Sequence, residues 1–456
     1  MKRVNSILSS ALMIIFSIIS TFSFGQSPKT WEWANSIVGT NKNFPYAMET
    51  DKDGNSYIAG GFNDTLKVEN KVMISHGPYD IYLIKYNTLG HIVWAKQFGG
   101  KDSEEPYGIA LDKAGNIYMA GYFSGTTNFS GVVLTSSGDR DFFVAKFDKN
   151  GIPVWVKQGG GTLEDFATSV AVDNGGNVFI TGIFKGSMTL GNSHYISKGD
   201  RDIFLIKYNS NGDILWSATG GGTMADEANA IATDTKGNCY ITGDFEGTAE
   251  FGKKTIAGLG GKDIFVAKFS ADGRIEWLKR GGSATGDDHA AAIAVDTSDN
   301  VYVTGYFSGL ADFGKTTLKN MGADDIFLVK YDRNGEEIWA KQTGGKGGEQ
   351  ARAMKLDKLG NIYVSGEFNV DFMLGENKIK SIGDWDILII KYNNSGEISG
   401  GTQIGGSGYD RNFGIGLDAL SDIYISGYFS KAISIGSTSL KSIDADDGFI
   451  AKLKNF

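Results

Sequence analysis

Beyond the first 25 residues, the apolar positions fall in short runs broken by Gly and Asn, with no sustained 3.6-residue spacing. A representative stretch reads Tyr107–Asp112, Asn116–Phe123, Asp141–Phe147 and Ile152–Gln158. The first two runs are joined by Lys113-Ala114-Gly115 and the last two by Asp148-Lys149-Asn150-Gly151. Runs this short, rich in Val, Ile, Phe and Tyr and bounded by turn formers, predict four β-strands, A to D.

The same stretch recurs along the chain. An Asn opening the second strand stands at Asn55, Asn116, Asn177, Asn238, Asn300 and Asn361, with Asp422 in the seventh place. A Gly-x-Phe ends that strand at Phe62, Phe123, Phe184, Phe245, Phe307, Phe368 and Phe429. An Asp opens the third strand at Asp80, Asp141, Asp202, Asp263, Asp325, Asp386 and Asp447, each followed five residues on by a Lys. Seven four-stranded repeats of about 61 residues predict an all-β fold, a seven-bladed β-propeller of antiparallel blades.

The seam is legible as well. A Trp marks the fourth strand at Trp94, Trp155, Trp216, Trp277 and Trp339, with Gly400 in the sixth repeat. The seventh repeat reaches Phe456 without a fourth strand, while Trp33 stands 61 residues before Trp94. The strand near 31–39 is therefore expected beside Phe449–Leu453, closing the ring and covering an exposed edge.

The hairpin Asp112–Phe123, repeated at Asp234–Phe245, follows D-x-x-G-N-x-Y-[IV]-[TAS]-G-x-F. In this motif the chain resembles the SBBP (seven-bladed β-propeller) repeat family of exported bacterial proteins. The resemblance covers essentially all of residues 26–456, read as a single domain. It implies fold and export and carries no agreed catalytic chemistry.

The N-terminus agrees with export. Lys2 and Arg3 precede the apolar run Ala11–Phe24, and Ser23-Phe24-Gly25 offers small residues before a cut. Residues 1–25 thus read as a signal peptide, too short in its apolar core to span a bilayer. The expected location is the periplasm, cell surface or extracellular space. A single Cys excludes a disulfide framework. With 53 acidic against 44 basic residues, a net charge of −9 and no basic stripe, nucleic-acid binding is disfavoured. The chain is expected to be a monomer and not an integral membrane protein.

Candidate chemistry lies in two columns. An acidic one precedes strand A: Glu104, Asp165, Asp226, Asp288, Glu349 and Asp410, with Asn43 in the first repeat. It is expected to crowd the mouth of the central channel, where oxygen-rich loops would suit a cationic partner. The alternative is that each Asp accepts N–H groups of its own turn. The second column varies at the start of strand A: Tyr46, Tyr107, Thr168, Asn229, Ala291, Arg352 and Phe413. Tyr46, Tyr107, Arg352 and Phe413 make a recognition surface there. The A–B turn Asp and the strand C Lys are expected to pair structurally. The long B–C connections are expected to hold a small extra turn or hairpin.

No catalytic or metal-binding set is called for, and no cofactor, Ca²⁺ being the one cation the loops would suit. The leading reading is an exported, non-catalytic scaffold that binds a protein, glycan or cell-envelope partner. The rival is a Ca²⁺-assisted hydrolase or lyase at the channel mouth, which requires His289, Arg352, Arg411 and Glu49 to converge.

Overall fold

The computed structural model describes residues 29–456, so the signal segment lies outside the described residues. Among the described residues there is no helix. The second repeat shows the plan: strands Glu104–Leu111 (A), Ile117–Phe123 (B), Asp141–Phe147 (C) and Pro153–Gly161 (D) pair antiparallel in that order. The same order recurs in every repeat. In the last it runs Asp410–Leu417, Ile423–Ile435, Thr438–Lys454 and then Thr30–Gly39 from the other end of the chain. There Ser36 pairs with Phe449 and Ala34 with Ala451.

Burial explains why the B and C strands read as continuous apolar runs. Ile117–Phe123 is buried at every position and Asp141–Phe147 at all but one, because neighbouring sheets cover both faces. The core lies between sheets: one cluster joins Leu83 and Phe98 of the first repeat to Met119 and Phe143 of the second. Another joins Tyr424 and Ile450 of the last repeat to Ile58 and Ile84 of the first. The A strands touch their neighbours in sequence, and Asp410–Leu417 touches Asn43–Thr50.

Two devices fasten most sheets to the next. The first is a hairpin in the B–C connection, the small extra turn expected there. Its inner strand pairs with strand D of the preceding repeat, as in Thr127↔Gly100 and Met188↔Gly161. In the first repeat the same hairpin strand pairs with the N-terminal strand, Leu66↔Gly39. The hairpin's Phe or Leu fills space vacated by a strand D glycine: a Cβ on Gly220 would lie 2.3 Å from Phe251, and one on Gly281 2.8 Å from Phe313.

The second device is an indole clasp. The C–D turn glycines Gly90, Gly151, Gly212, Gly273 and Gly335 have φ between 73° and 86° and lie against the Trp of the preceding repeat. A Cβ on Gly212 would come within 2.9 Å of Trp155. Trp155 Nε1 donates to Ser210 O at 3.1 Å, Trp216 to Ala271 O at 3.0 Å and Trp33 to Thr88 O at 3.0 Å. In three repeats the strand C lysine beside the indole reaches the same carbonyl: Lys146 to Ser210 O at 3.3 Å, Lys207 to Ala271 O at 3.0 Å and Lys268 to Arg333 O at 3.4 Å.

These lysines overturn one expectation. Their Nζ atoms lie over the strand B ring of their own repeat, as Lys85 over Tyr57 at 4.8 Å. The A–B turn Asp is used within its own turn: Asp112 accepts Ala114 N, Asn116 N and Tyr118 Oη. Only Lys452 comes within ion-pairing distance of such an Asp among the described residues, at 3.9 Å from Asp418.

The clasp is testable by urea unfolding. Gly212→Ala, which forces an L side chain to positive φ against an indole, is expected to destabilise the chain by about 2 kcal/mol. Trp155→Ala is expected to remove about 3 kcal/mol. Parent-like unfolding of both variants would show that the clasp does not hold the sheets.

Candidate binding site at the channel mouth

Strand A carries one extra residue against strand B in every repeat. In the second, Pro106 pairs with Gly121 and Gly108 with Ala120, leaving Tyr107 unpaired. Such a bulge bends the strand and re-aims the extra side chain. The bulged residues are the variable column. Tyr46, Tyr107 and Phe413 line a central channel of about 1310 Å³ together with Thr168, Asn229, Ala291 and Arg352. The residue following each bulge is small (Ala47, Gly108, Ser169, Ala230, Ala292, Ala353 and Gly414) because neighbouring A strands crowd there. A Cβ on Gly108 would sit 2.9 Å from Val170 N.

The acidic column does not line that mouth. Glu104, Asp165, Asp226, Asp288, Glu349 and Asp410 are fully buried, which corrects the expectation that they crowd the channel mouth and agrees with the alternative of carboxyls that accept nearby backbone N–H groups. Four of the side chains turn back to accept from the end of strand D: Gly161 N donates to Asp165 at 2.7 Å, Gly222 N to Asp226 at 2.7 Å, Ser283 N to Asp288 at 2.6 Å and Gly345 N to Glu349 at 2.8 Å. The strand C Asp column is buried beside it and caps the B–C connection, with Ser137 N donating to Asp141 and Ile382 N to Asp386.

Two buried carboxyl groups therefore lie side by side at six junctions, the strand A acid of one repeat against the strand C Asp of the preceding one. Burial raises Asp165, Asp226, Asp288 and Glu349 to about 7, and the strand C Asp nearby adds to the rise. For Glu104 and Asp410 the same causes reach about 8. The first repeat shows the neutral version, where Asn43 Nδ2 donates to Asp447 Oδ1 at 3.0 Å. No group of three or more His, Cys, Asp or Glu able to hold a metal occurs among the described residues.

What the mouth offers instead is aromatic. Tyr46 meets Tyr107 edge-on at 5.4 Å and Phe413 at 5.7 Å between ring centroids. From Tyr107 the contacts continue to Tyr122 at 5.7 Å and on to Phe166 at 5.0 Å. From Phe413 they continue to Tyr428 at 5.7 Å, Tyr409 at 6.3 Å and Trp385 at 6.3 Å. Phe44 packs between Tyr46 and Tyr428 at 5.8 and 5.0 Å. One unbroken arc of rings thus spans the sixth, seventh, first, second and third repeats.

The rest of the rim is polar. His289 Nδ1 lies 2.6 Å from the buried Asp244, which also accepts Ala290 N at 3.0 Å and Asn229 Nδ2 at 3.3 Å. The His289 ring stacks on Tyr306 at 5.0 Å, and the Arg352 guanidinium lies 5.6 Å from the same ring. Arg352 Nε and Arg411 Nε both donate to the buried Glu367, at 3.0 and 2.8 Å. Three of the four symmetry-breaking residues named from sequence therefore meet through Tyr306 and Glu367. Glu49 does not: it pairs with Lys355 at 2.6 Å, where most other repeats carry Ala.

Sequence reasoning missed Tyr122, Asp244, Tyr306, Glu367 and Tyr428, although they occupy the middle of the Gly-x-Phe motif. The signal was present: that position reads Gly61, Tyr122, Ile183, Asp244, Tyr306, Glu367 and Tyr428 between two invariant neighbours.

Antiparallel four-stranded sheets repeated around bulged inner strands define a β-propeller scaffold. The chain carries the SBBP beta-propeller repeat, whose family model matches residues 93–129. It is 23% identical to an uncharacterized WD repeat-containing protein of Acanthamoeba polyphaga mimivirus, over 76% of this chain and 32% of that one. It is 28% identical to the regulatory protein FlaEY of Caulobacter vibrioides, over 36% of this chain and 18% of that one. The chain thus spans a third or less of these curated relatives. The crystal structure of the WD40 β-propeller domain of Doa1 superimposes with a TM-score of 0.47 at 8% identity, covering 93% of this chain and 97% of that chain.

The buried carboxyl pairs make stability fall with rising pH. Between about pH 4 and 8 the unfolded chain has ionised these groups while the folded chain still binds their protons, so alkalinisation favours unfolding. The thermal midpoint is expected to drop by at least roughly 5 °C from pH 5.5 to 8.5. Asp226→Asn, the change already present at Asn43, should raise the midpoint at pH 8.5 and flatten the slope. A profile that rises with pH would contradict the assignment.

Proposed function

We propose that the chain is a seven-bladed β-propeller, closed by residues 30–39, that works as an exported, monomeric and non-catalytic scaffold binding a protein or glycan partner. Closure is supported by the double pairing of the N-terminal strand, with Thr438–Lys454 of the last repeat and with the hairpin of the first. The Trp33 clasp on the turn at Gly90 supports it too. Deleting residues 30–39 is expected to abolish the cooperative unfolding transition or lower its midpoint strongly, and parent-like melting would place the seam elsewhere.

The observation that carries the binding reading is the arc of aromatic rings at one channel mouth. The structural columns recur in nearly every repeat, so a framework that keeps them yet gathers Tyr and Phe in one place is shaped for recognition. Removal of residues 1–25 would deliver that mouth to the periplasm, cell surface or exterior. Immobilised protein is expected to retain a partner from native envelope extract with or without a calcium chelator. Tyr46→Ala combined with Tyr107→Ala should lose it, and unchanged capture by this fully folded variant would overturn the assignment.

A second reading has one observation in its favour, the convergence of His289, Arg352 and Arg411. Asp244 holds His289 through Nδ1, which leaves Nε2 as a general base beside a phenol and a guanidinium. Under that reading His289→Ala abolishes turnover of the bound ligand, whereas under the scaffold reading it leaves the ligand chemically unchanged in both proteins.

A further inference from the structure

We infer that the aromatic arc takes an uncharged saccharide chain, with sugar rings laid against the rings around Tyr46. The inference rests on the scaffold reading above and names its ligand. None of the arc's rings stands out fully into solvent: each is half-buried or deeper and wedged against the next, so only part of each ring is open and its orientation is fixed by its neighbours. A row of fixed, partly covered rings suits a ligand built of repeated flat apolar units.

The polar groups along the row are planar as well and lie on the rings. The Arg140 guanidinium sits 4.9 Å from the Tyr122 ring and that of Arg411 5.6 Å from the Tyr409 ring. Tyr107 Oη donates to Glu105 at 3.0 Å. Hydroxyls arrayed around the edge of a sugar ring need such a fringe of fixed donors and acceptors.

Charge settles which saccharide. Each guanidinium on this rim already faces a carboxylate: Arg140 faces Glu164 at 3.5 Å, Arg201 faces Glu227 at 2.6 Å, and Arg352 and Arg411 converge on Glu367. A polyanion would have to displace these partners. Nucleic acid, the other polymer of stackable units, needs an unpaired basic groove, so the balanced rim favours a neutral chain.

The test is titration calorimetry of the full exported chain with cellohexaose, xylohexaose, mannohexaose and chitohexaose, with hexagalacturonate as the anionic comparison. At least one neutral hexasaccharide is expected to bind more tightly than its disaccharide by tenfold or more, with affinity unchanged between low and high salt. Tyr107→Ala and Phe413→Ala should each weaken it by about tenfold, the order of one stacking contact. Tyr46→Phe, which keeps the ring, should stay within about threefold of the parent. Far-ultraviolet circular dichroism and melting of each variant separate lost binding from lost folding. Absence of binding to all four neutral chains, or preference for hexagalacturonate, overturns the saccharide assignment. If an envelope protein nevertheless depends on Tyr46 and Tyr107 for capture, the scaffold reading stands without it. If no partner of any kind depends on them, both fall.

Discussion

An indole laid on a glycine is the contact on which the arrangement of these sheets depends. Four-stranded sheets of this length cannot bury both faces alone, so each needs neighbours held at a fixed separation and angle. The clasp supplies both. The turn glycine at positive φ lets the backbone come within van der Waals reach of the indole, and the ring nitrogen then ties down a carbonyl that a turn would otherwise leave to water. The lysine on the adjacent strand adds a second donor to the same oxygen and covers a strand B ring with its stem and charge. Repeated along the chain, this contact sets the spacing that the interlocking hairpins and inter-sheet cores then fill.

The same contact explains the one apparent defect. Gly400 stands where the other repeats carry Trp, and the place that a C–D turn would occupy opposite it is taken by the region where the N-terminal strand and Phe456 meet. With no turn glycine to clasp, an indole there would have no partner. Lys391, whose counterparts Lys146, Lys207 and Lys268 reach the turn carbonyl, instead donates to Phe456 O, and Phe456 packs near Tyr363 at 6.5 Å. Trp and turn are lost together because they act only together.

Buried carboxyl pairs show how a column can look functional and yet serve the frame. An Asp or Glu at the head of strand A in six repeats resembles a ligand-binding ring when its side chains are imagined in solvent. Strand D, however, ends in glycines whose missing side chains leave room for those carboxyl groups, and the exposed N–H groups there need acceptors. The acids are drawn inward to cap the sheets. The penalty is desolvation of two like groups, relieved by keeping one protonated near neutrality.

The sequence by itself determined the seven repeats, their four strands and the partner of the N-terminal strand, since period-61 columns and turn residues are local signals that need no knowledge of packing. It also singled out Tyr46, Tyr107, Arg352 and Phe413 as departures from the repeat. Only the tertiary structure decided which departures belong together. A one-residue bulge in strand A aims that column into the channel, and the middle residue of Gly-x-Phe, read along the chain as a spacer, becomes its neighbour on the rim. Tyr122 and Phe166 come from different repeats, as do His289 and Asp244, and meet because adjacent sheets bring their rims together. Which side of a sheet a carboxylate takes, and which rings join into one arc, are properties of contact across sheets, which sequence periodicity does not encode.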